Sequence, residues 1–258
     1  MLRFRSLGSG SSGNATVVEA TQGSRSTRLL VDCGLGLKQL GFRLARADIN
    51  ASQIDAIFIT HEHGDHIGCA RAFALRERVP VWMSAGTYAA IGSPDFDGLL
   101  QLASDGTRIE LDALEIAPFT VPHDAREPLQ LRCSDGDASL AILTDLGHAS
   151  AHVLEQLALC NAMLLECNHD SDLLAASAYP AFLKQRVGGM HGHLCNQDAG
   201  AIAAALQHPG LRTVVAAHLS VHNNRPELAR AALAMALGCA PGDIAVADPQ
   251  LGTCWTAV

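Results

Sequence analysis

No apolar run in this chain of 258 residues approaches the ~18 residues that are needed to cross a bilayer. The opening residues Met-Leu-Arg-Phe-Arg-Ser also lack the apolar segment of a secretory signal peptide. Neither a membrane protein nor a secreted protein is therefore expected, and the sequence predicts a cytoplasmic location.

The eight cysteines never form a Cys-x-x-Cys pair. A structural zinc site built from cysteines is therefore not expected. In a reducing compartment, most of these thiols are predicted to be buried as small hydrophobic side chains.

The chain also has few charged residues. Charged residues make up 17% of the chain, and the formal net charge is −8. This balance argues against long disordered tails and against a diffuse basic face for nucleic acid. A nucleic-acid substrate would then depend on local basic residues and on the charge of bound metals. Most basic residues on predicted helices are expected to be solvated: Arg43, Arg46, Arg71, Arg76, Arg78, Lys184 and Arg186.

What the chain does have is an apolar content of 48%, which is enough for a sizeable core. Short apolar runs between Gly/Ser turns predict strands at 2–7, 16–20, 28–32, 55–60, 81–83, 108–111, 115–121, 129–132, 140–145, 162–167, 213–217, 244–247 and 252–256. Helical spacing predicts helices at 37–47, 65–78, 148–159, 180–187, 196–207 and 226–237, with Pro180 at a first helical position. This order predicts an α/β (α+β) fold of two face-to-face sheets with outer helices, as one domain over residues 1–258.

The most informative segment reads Phe-Ile-Thr-His-Glu-His-Gly-Asp-His-Ile-Gly, at residues 58–68. It follows an apolar run with the features of a buried strand. Its potential metal ligands are His61, His63, Asp65 and His66. Imidazoles and carboxylates both bind divalent metals. Four donors within six residues exceed what one open site takes from one segment, so the spacing predicts two metals that share a loop.

Three later apolar runs also end in a potential ligand. They lead to His123, Asp145 and His218, and His123 is followed by Asp124. A single histidine at a strand end is more often structural than functional. The whole set is hard to explain without a metal site, because clustered strand ends at one edge of a sandwich would bring these side chains together.

The order His61-x-His63-x-Asp65-His66, then His123, Asp145 and His218, resembles the metallo-β-lactamase fold superfamily. The resemblance covers nearly the whole chain and implies an αββα four-layer sandwich with a dinuclear centre. It implies that His61, His63 and His123 hold one ion and that Asp65, His66 and His218 hold the other. Asp145 would bridge the two ions.

Further segments are similar to the YycJ/WalJ-type branch, which is associated with 5′ to 3′ exonuclease activity on DNA. They are 7–14 (Leu-Gly-Ser-Gly-Ser-Ser-Gly-Asn), 166–170 (Glu-Cys-Asn-His-Asp), 192–200 (Gly-His-Leu-Cys-Asn-Gln-Asp-Ala-Gly) and 218–228. The segment around His193 is also similar to the histidine-bearing loop of ribonuclease Z. The chain departs from the branch at Cys195, where serine is expected, and at His148, where an aromatic residue is more usual.

The resemblance also implies site roles. Asp65 is predicted to orient or deprotonate the attacking water, and His193 to protonate the leaving oxygen, oriented by Glu166. Alternatively, His193 only caps the helix 196–207. Asp32 is predicted to steady the ligand loop without binding metal. Predicted substrate-binding residues are Ser9, Ser11, Ser12 and Asn14, in a loop whose backbone could face a phosphate, together with His169 and Asn223.

The predicted protein is a dinuclear metal-dependent phosphodiesterase or nuclease in which a hydroxide held between the metals attacks the phosphate. Its substrate would be nucleic acid, DNA rather than RNA, or a small phosphodiester. The cofactor would be two divalent ions, with zinc, manganese or iron all compatible with the donors. The alternatives are a thioester or lactam hydrolase of the glyoxalase II or lactamase kind, and a non-catalytic protein that keeps its metals for stability.

Overall fold

The computed structural model describes residues 1–258 and contains two seven-stranded sheets. The first sheet has the order β14-β1-β2-β3-β4-β5-β6 and the second the order β13-β12-β11-β10-β9-β8-β7. The strands are β1 (Leu2–Gly8), β2 (Ala15–Gln22), β3 (Arg25–Val31), β4 (Ala56–Phe58), β5 (Val81–Ser84), β6 (Leu100–Ala103), β7 (Ile109–Leu111), β8 (Leu114–Thr120), β9 (Leu129–Ser134), β10 (Ser139–Leu143), β11 (Ala162–Glu166), β12 (Thr213–Ala217), β13 (Ala245–Val246) and β14 (Thr256–Ala257).

Nine helices accompany the sheets. They are α1 (Leu37–Arg46), α2 (Gly64–Ile67), α3 (Ala70–Glu77), α4 (Ala85–Ala90), α5 (Ala151–Leu157), α6 (Ser171–Ala176), α7 (Ala181–Val187), α8 (Asn196–Ala205) and α9 (Pro226–Leu237). None of them combines the length and the apolar character that a membrane crossing requires.

The inner faces of the two sheets form one core. Phe4 and Phe58 of the first sheet and Ile116 and Leu164 of the second belong to the same buried cluster. Strands with alternating burial, such as β1, place every second side chain in this core. The buried side chains of the two inner faces therefore hold the sheets face to face.

Helices cover the outer faces. Leu40 of α1 and Phe73 of α3 pack in a cluster with residues of the first sheet. Ile202 of α8 and Leu233 of α9 pack in a cluster with residues of the second. The predicted αββα four-layer sandwich is confirmed.

Strand direction decides where the loops meet. Strands β3 to β6 are parallel, and so are β10 to β13. Strand β8 is antiparallel to β9, which is antiparallel to β10, so β8 points the same way as β10. The segments that follow β8, β10, β11 and β12 consequently leave the second sheet at one edge.

Several predicted elements require correction. The predicted helix 65–78 is two helices, α2 and α3, because Gly68 has a φ of 27° and approaches the carbonyl oxygen of Cys33 too closely to carry a Cβ. Pro180 is the N-cap of α7, and the first helical residue is Ala181. The prediction missed α4, β6 and α6, whereas α9 has the predicted bounds.

We expect two cysteines to react first with iodoacetamide in the native protein. Only Cys239 and Cys254 are exposed. The thiols of Cys33 and Cys167 are buried, and burial raises the pKa of each, so little thiolate forms. Timed alkylation near neutral pH, followed by peptide mass spectrometry, checks this. Rapid labelling of a buried cysteine before unfolding would contradict the fold.

Candidate metal centre and active site

The site lies where strands of both sheets end. The segment after β4 carries His61, His63, Asp65 and His66. The second sheet contributes the residues that follow β8, β10 and β12, which are His123, Asp145 and His218. The structure brings all seven predicted ligands together at one edge of the sandwich.

Three imidazoles form the first cluster. The Nε2 atom of His61 lies 3.0 Å from Nδ1 of His63, which lies 3.3 Å from Nε2 of His123. Burial lowers the pKa of His61 and of His123, so both favour the neutral form that binds metals. Nitrogen atoms that face one another at this distance suit a shared cation.

The second cluster contains one carboxylate and two imidazoles. Asp65 Oδ2 lies 3.6 Å from Nε2 of His66 and 3.5 Å from Nε2 of His218. Burial raises the pKa of Asp65, but the neighbouring imidazoles of His218 and His66 lower it more, and the net shift is downward. The carboxylate is therefore ionised at neutral pH.

Asp145 lies between the two clusters. Its Oδ2 is 3.0 Å from Nε2 of His66, and its Oδ1 is 4.0 Å from Nε2 of His123. The side chain is buried, and Oδ1 also lies 3.4 Å from Nδ1 of His218, so the carboxylate lies within 4.0 Å of imidazoles of both clusters.

Buried polar atoms that lack a hydrogen-bond partner indicate whether this set of donors fits metal ions. Asp145 Oδ2 and His218 Nε2 are buried and make no well-formed hydrogen bond. Buried polar atoms almost always have a partner, and a divalent ion would supply one to each. The mixture of imidazole and carboxylate donors also suits such ions, so the residues fit the predicted metals.

Asp32 and Thr60 support the ligand loop from the first sheet. Asp32 Oδ2 lies 2.8 Å from Nδ1 of His66, and its Oδ1 accepts a hydrogen bond from the backbone N–H of Thr60 at 2.9 Å. This contact leaves Nε2 of His66 for the second cluster. The structure thus places Asp32 in the supporting role that was predicted.

Glu166 supports candidate ligand residues from the second sheet, as Asp32 does from the first. Its Oε1 lies 2.9 Å from Nδ1 of both His193 and His218, and its Oε2 accepts from the backbone N–H groups of Leu146 and Leu194. Burial raises the pKa of this carboxyl, but the charge and hydrogen bond of His193 outweigh it and bring the pKa to about 2. Glu166 is therefore an anion that orients both rings.

His193 is held by Glu166 and does not cap α8. Cys195 is the N-cap, and its Sγ accepts a hydrogen bond from the backbone N–H of Asp198. The alternative interpretation of His193 is wrong, and Cys195 takes the capping position that serine usually fills. Burial lowers the pKa of His193, but the negative charge of Glu166 raises it more, so the ring tends to keep its proton.

A cleft of about 400 Å3 opens over the clusters, and Ser11, Asp65, His193 and His218 are among its lining residues. Of the six predicted substrate-binding residues, Ser11 alone lines it. Ser12 is exposed nearby.

The other four predicted substrate-binding residues are buried. Ser9 accepts a hydrogen bond from the backbone N–H of His218, and Asn14 Nδ2 lies 3.0 Å from Nε2 of His66. Both residues therefore support the ligand loops. His169 and Asn223 lie outside the lining of the cleft, so a substrate role for them stays a prediction.

Two charged residues of the cleft, Asp124 and Arg186, were not among the predicted site residues. Arg186 Nε lies 2.6 Å from Asp124 Oδ2, and Asp124 Oδ1 lies 3.5 Å from Nε2 of His123. The position of Asp124 directly after a ligand histidine was the available signal. Arg186 was interpreted as a solvated helix residue, because local spacing does not reveal the distant partner.

We expect Asp32→Asn to weaken metal binding about 10- to 100-fold, as is typical when the support of a ligand histidine is altered. Asparagine tolerates the positive φ of 62° at this position, so the fold should persist. The affinity can be measured by competition with a chromophoric chelator. Asp48→Asn is the matched control, because Asp48 also has a positive φ, of 59°, and is exposed. Equal affinities in both variants would contradict the role of Asp32.

The similarity of this chain to known proteins agrees with the geometry of its fold and site. The family model of the metallo-beta-lactamase superfamily matches residues 8–159. The second sheet continues beyond that range, with β11, β12 and β13.

Two curated relatives match most of the chain. Exodeoxyribonuclease YycJ of Bacillus anthracis is 33% identical over 92% of this chain and 89% of its own length. Exodeoxyribonuclease WalJ of Streptococcus pneumoniae serotype 2 is 32% identical over 88% of this chain and 85% of its own length. Among solved structures, the metallo-beta-lactamase fold protein YhfI from Bacillus subtilis aligns with a TM-score of 0.74 at 15% identity, over 98% of each chain. The chain is therefore a metal-dependent hydrolase that belongs to the metallo-beta-lactamase superfamily, in the branch of YycJ and WalJ.

Proposed function

We propose that this protein is a dinuclear phosphodiesterase that removes nucleotides from DNA as a 5′ to 3′ exonuclease. The convergence of seven ligand residues beside the Glu166–His193 pair carries this proposal. The two curated relatives named exodeoxyribonuclease support DNA as the substrate. Because the site takes residues from both sheets, we also propose that residues 1–258 act as one domain.

The donor positions suggest how two ions would be held. His61, His63 and His123 would bind one ion. Asp65, His66 and His218 would bind the other, with Asp145 between them. Two bound divalent ions would supply activation of water near neutral pH and neutralisation of charge on phosphate oxygens. Zinc suits these donors, and manganese or iron would also be accepted.

The protein's own residues would complete the reaction. Asp65, which lines the cleft as an anion, would orient the attacking water or accept its proton. His193 Nδ1 is bound to Glu166, so Nε2 is the nitrogen that remains to donate a proton to the leaving 3′-oxygen. Glu166 fixes the tautomer and orientation of the ring and stabilises its protonated form.

A panel of substrates tests the proposed function. We expect the metal-loaded protein to shorten end-labelled DNA and to hydrolyse bis-p-nitrophenyl phosphate, with little turnover of a thioester or a chromogenic lactam. Asp65→Ala should remove the nuclease activity, since it deletes a metal ligand and the group that orients water. The chain length of the labelled products is read on denaturing gels. Turnover of the carbonyl substrates alone would contradict the proposal and favour the thioester or lactam hydrolase.

His193 should matter most where the leaving group needs a proton. We expect His193→Ala to lower kcat on DNA by about 10²- to 10⁴-fold, the usual contribution of a general acid. Turnover of bis-p-nitrophenyl phosphate should fall far less, since nitrophenolate departs without a proton. His191→Ala is the matched control, because His191 is exposed and lies two residues away. Equal losses on both substrates would indicate that His193 acts through the structure of the site and not as an acid.

A further inference from the structure

Four histidines of the two clusters have a partner on the ring nitrogen that faces away from their cluster. The partners are the carboxylates of Asp32 for His66 and of Glu166 for His218, the carbonyl oxygen of Gly192 for His123 and the hydroxyl of Thr60 for His61. A ligand histidine usually donates its outer N–H to such an acceptor, which sets the tautomer and the orientation of the ring. Thr60 differs from the other three partners, because a hydroxyl is neutral and can rotate.

The contacts of the Thr60 hydroxyl with Asp32 fix its orientation. Its Oγ1 lies 3.0 Å from each oxygen of the Asp32 carboxylate and 3.0 Å from Nδ1 of His61. Carboxylate oxygens accept hydrogen bonds, and a hydroxyl has one proton to give. That proton therefore points to Asp32, and the lone pairs of Oγ1 face His61. The ring of His61 then carries its proton on Nδ1 and donates it to Thr60.

This tautomer prepares His61 for the first cluster. It leaves a lone pair on Nε2, the nitrogen that lies 3.0 Å from Nδ1 of His63. Only a ring nitrogen without a proton binds a metal ion. Asp32 also lies 2.8 Å from Nδ1 of His66, in the second cluster. One carboxylate thus contacts a candidate ligand of the second cluster directly and a candidate ligand of the first through a hydroxyl.

Strand register places Asp32 and Thr60 side by side. Val31 at the end of β3 pairs with Phe58 at the end of the parallel strand β4, and Asp32 N–H donates to the carbonyl oxygen of Phe58 at 2.8 Å. The backbone N–H of Thr60 in turn donates to Asp32 at 2.9 Å. Thr60 and His61 are fully buried. Bulk water therefore cannot replace the hydroxyl as the partner of the ring.

We propose that the Thr60 hydroxyl is a positioning group that extends the support of Asp32 from the second metal cluster to the first. The inference rests on the proposed dinuclear site. It assigns Thr60 a role in binding the ion of His61, His63 and His123, although Thr60 would not touch that ion. The hydroxyl acts through His61, by holding the tautomer and the direction of its ring.

Metal binding tests the proposal in two variants that each keep one complete cluster. Asp65→Ala removes a ligand of the second cluster, and His63→Ala removes one of the first. Thr60→Val, added to each, replaces the hydroxyl with a methyl group. We expect it to weaken Zn²⁺ binding about 10- to 100-fold in the Asp65→Ala protein, the usual effect of losing the partner of a ligand histidine. Binding by the His63→Ala protein should stay unchanged. Competition with a chromophoric chelator gives the affinities.

Three further changes show whether the hydroxyl itself is responsible. Thr60→Ser keeps the hydroxyl and should retain most of the affinity in both proteins. Asp32→Asn should weaken both, because Asp32 serves both clusters. Thr87→Val is the matched control and should weaken neither. Thr87 is also fully buried, its hydroxyl accepts a hydrogen bond from Ser84 at 3.0 Å, and it lies on α4, outside the clusters.

The ring protons give a measurement that does not depend on affinity. In Zn²⁺-loaded protein with isotopically labelled histidine, NMR should show a slowly exchanging proton on Nδ1 of His61. Thr60→Val should speed the exchange of this proton, because the buried N–H loses its acceptor. The Nδ1 proton of His66 should stay protected in the same variant, since Asp32 still accepts it. Unchanged exchange at His61 would contradict the proposed contact.

The outcomes separate this inference from the proposed function. If Thr60→Val weakens both single-cluster proteins equally, or neither, the hydroxyl does not serve the first cluster, and a wild type that cleaves DNA keeps the nuclease function. If the expected pattern of metal binding occurs in a protein that does not cleave DNA, the role of Thr60 stands and the nuclease function fails. A single-cluster variant that binds no ion would contradict two separate clusters and, with them, this inference.

Discussion

The contacts of the Glu166 carboxylate hold together the edge of the second sheet at which the candidate site lies. A buried anion is costly unless every lone pair is engaged, and here two backbone N–H groups and two imidazoles engage it. Through these contacts, one side chain at the end of β11 fixes the turn after β10, the histidine after β12 and the loop before α8. Losing the carboxylate would release His193 and His218 together, so the proposed metal binding and the proposed proton transfer would both be weakened.

Asp32 supports the site in a similar way from the first sheet. That residue, Asp145 and His218 lie within two positions of a strand end, and all three have a positive φ, of 62°, 58° and 53°. Such backbone is uncommon outside glycine, and it persists when surrounding contacts over-determine it. Here it turns the chain directly after the strand, at the edge of the sheet where the candidate site lies.

The distribution of charge explains how an acidic protein could act on the proposed anionic substrate. Bound divalent ions are the largest local charges in such a site and reverse its sign. Outside the ligands, the cleft contributes one guanidinium, held by Asp124. A phosphate in the cleft would therefore meet positive charge at the proposed metals, at protonated His193 and at Arg186.

The sequence by itself determined two face-to-face sheets with outer helices and the candidate ligands at strand ends from His61 to His218, since periodicity and motif order are written locally along the chain. The family resemblance added the four-layer arrangement and the pairing of Glu166 with His193. Short elements without periodicity, such as α4 and β6, could not be predicted, and a glycine contact with distant backbone divided the helix predicted at 65–78. Only the tertiary structure decided that Ser9 and Asn14 support the ligand loops and that Arg186 reaches Asp124. These contacts join residues far apart in the chain, and the local pattern shows which side chains are buried but not which distant partner each one meets.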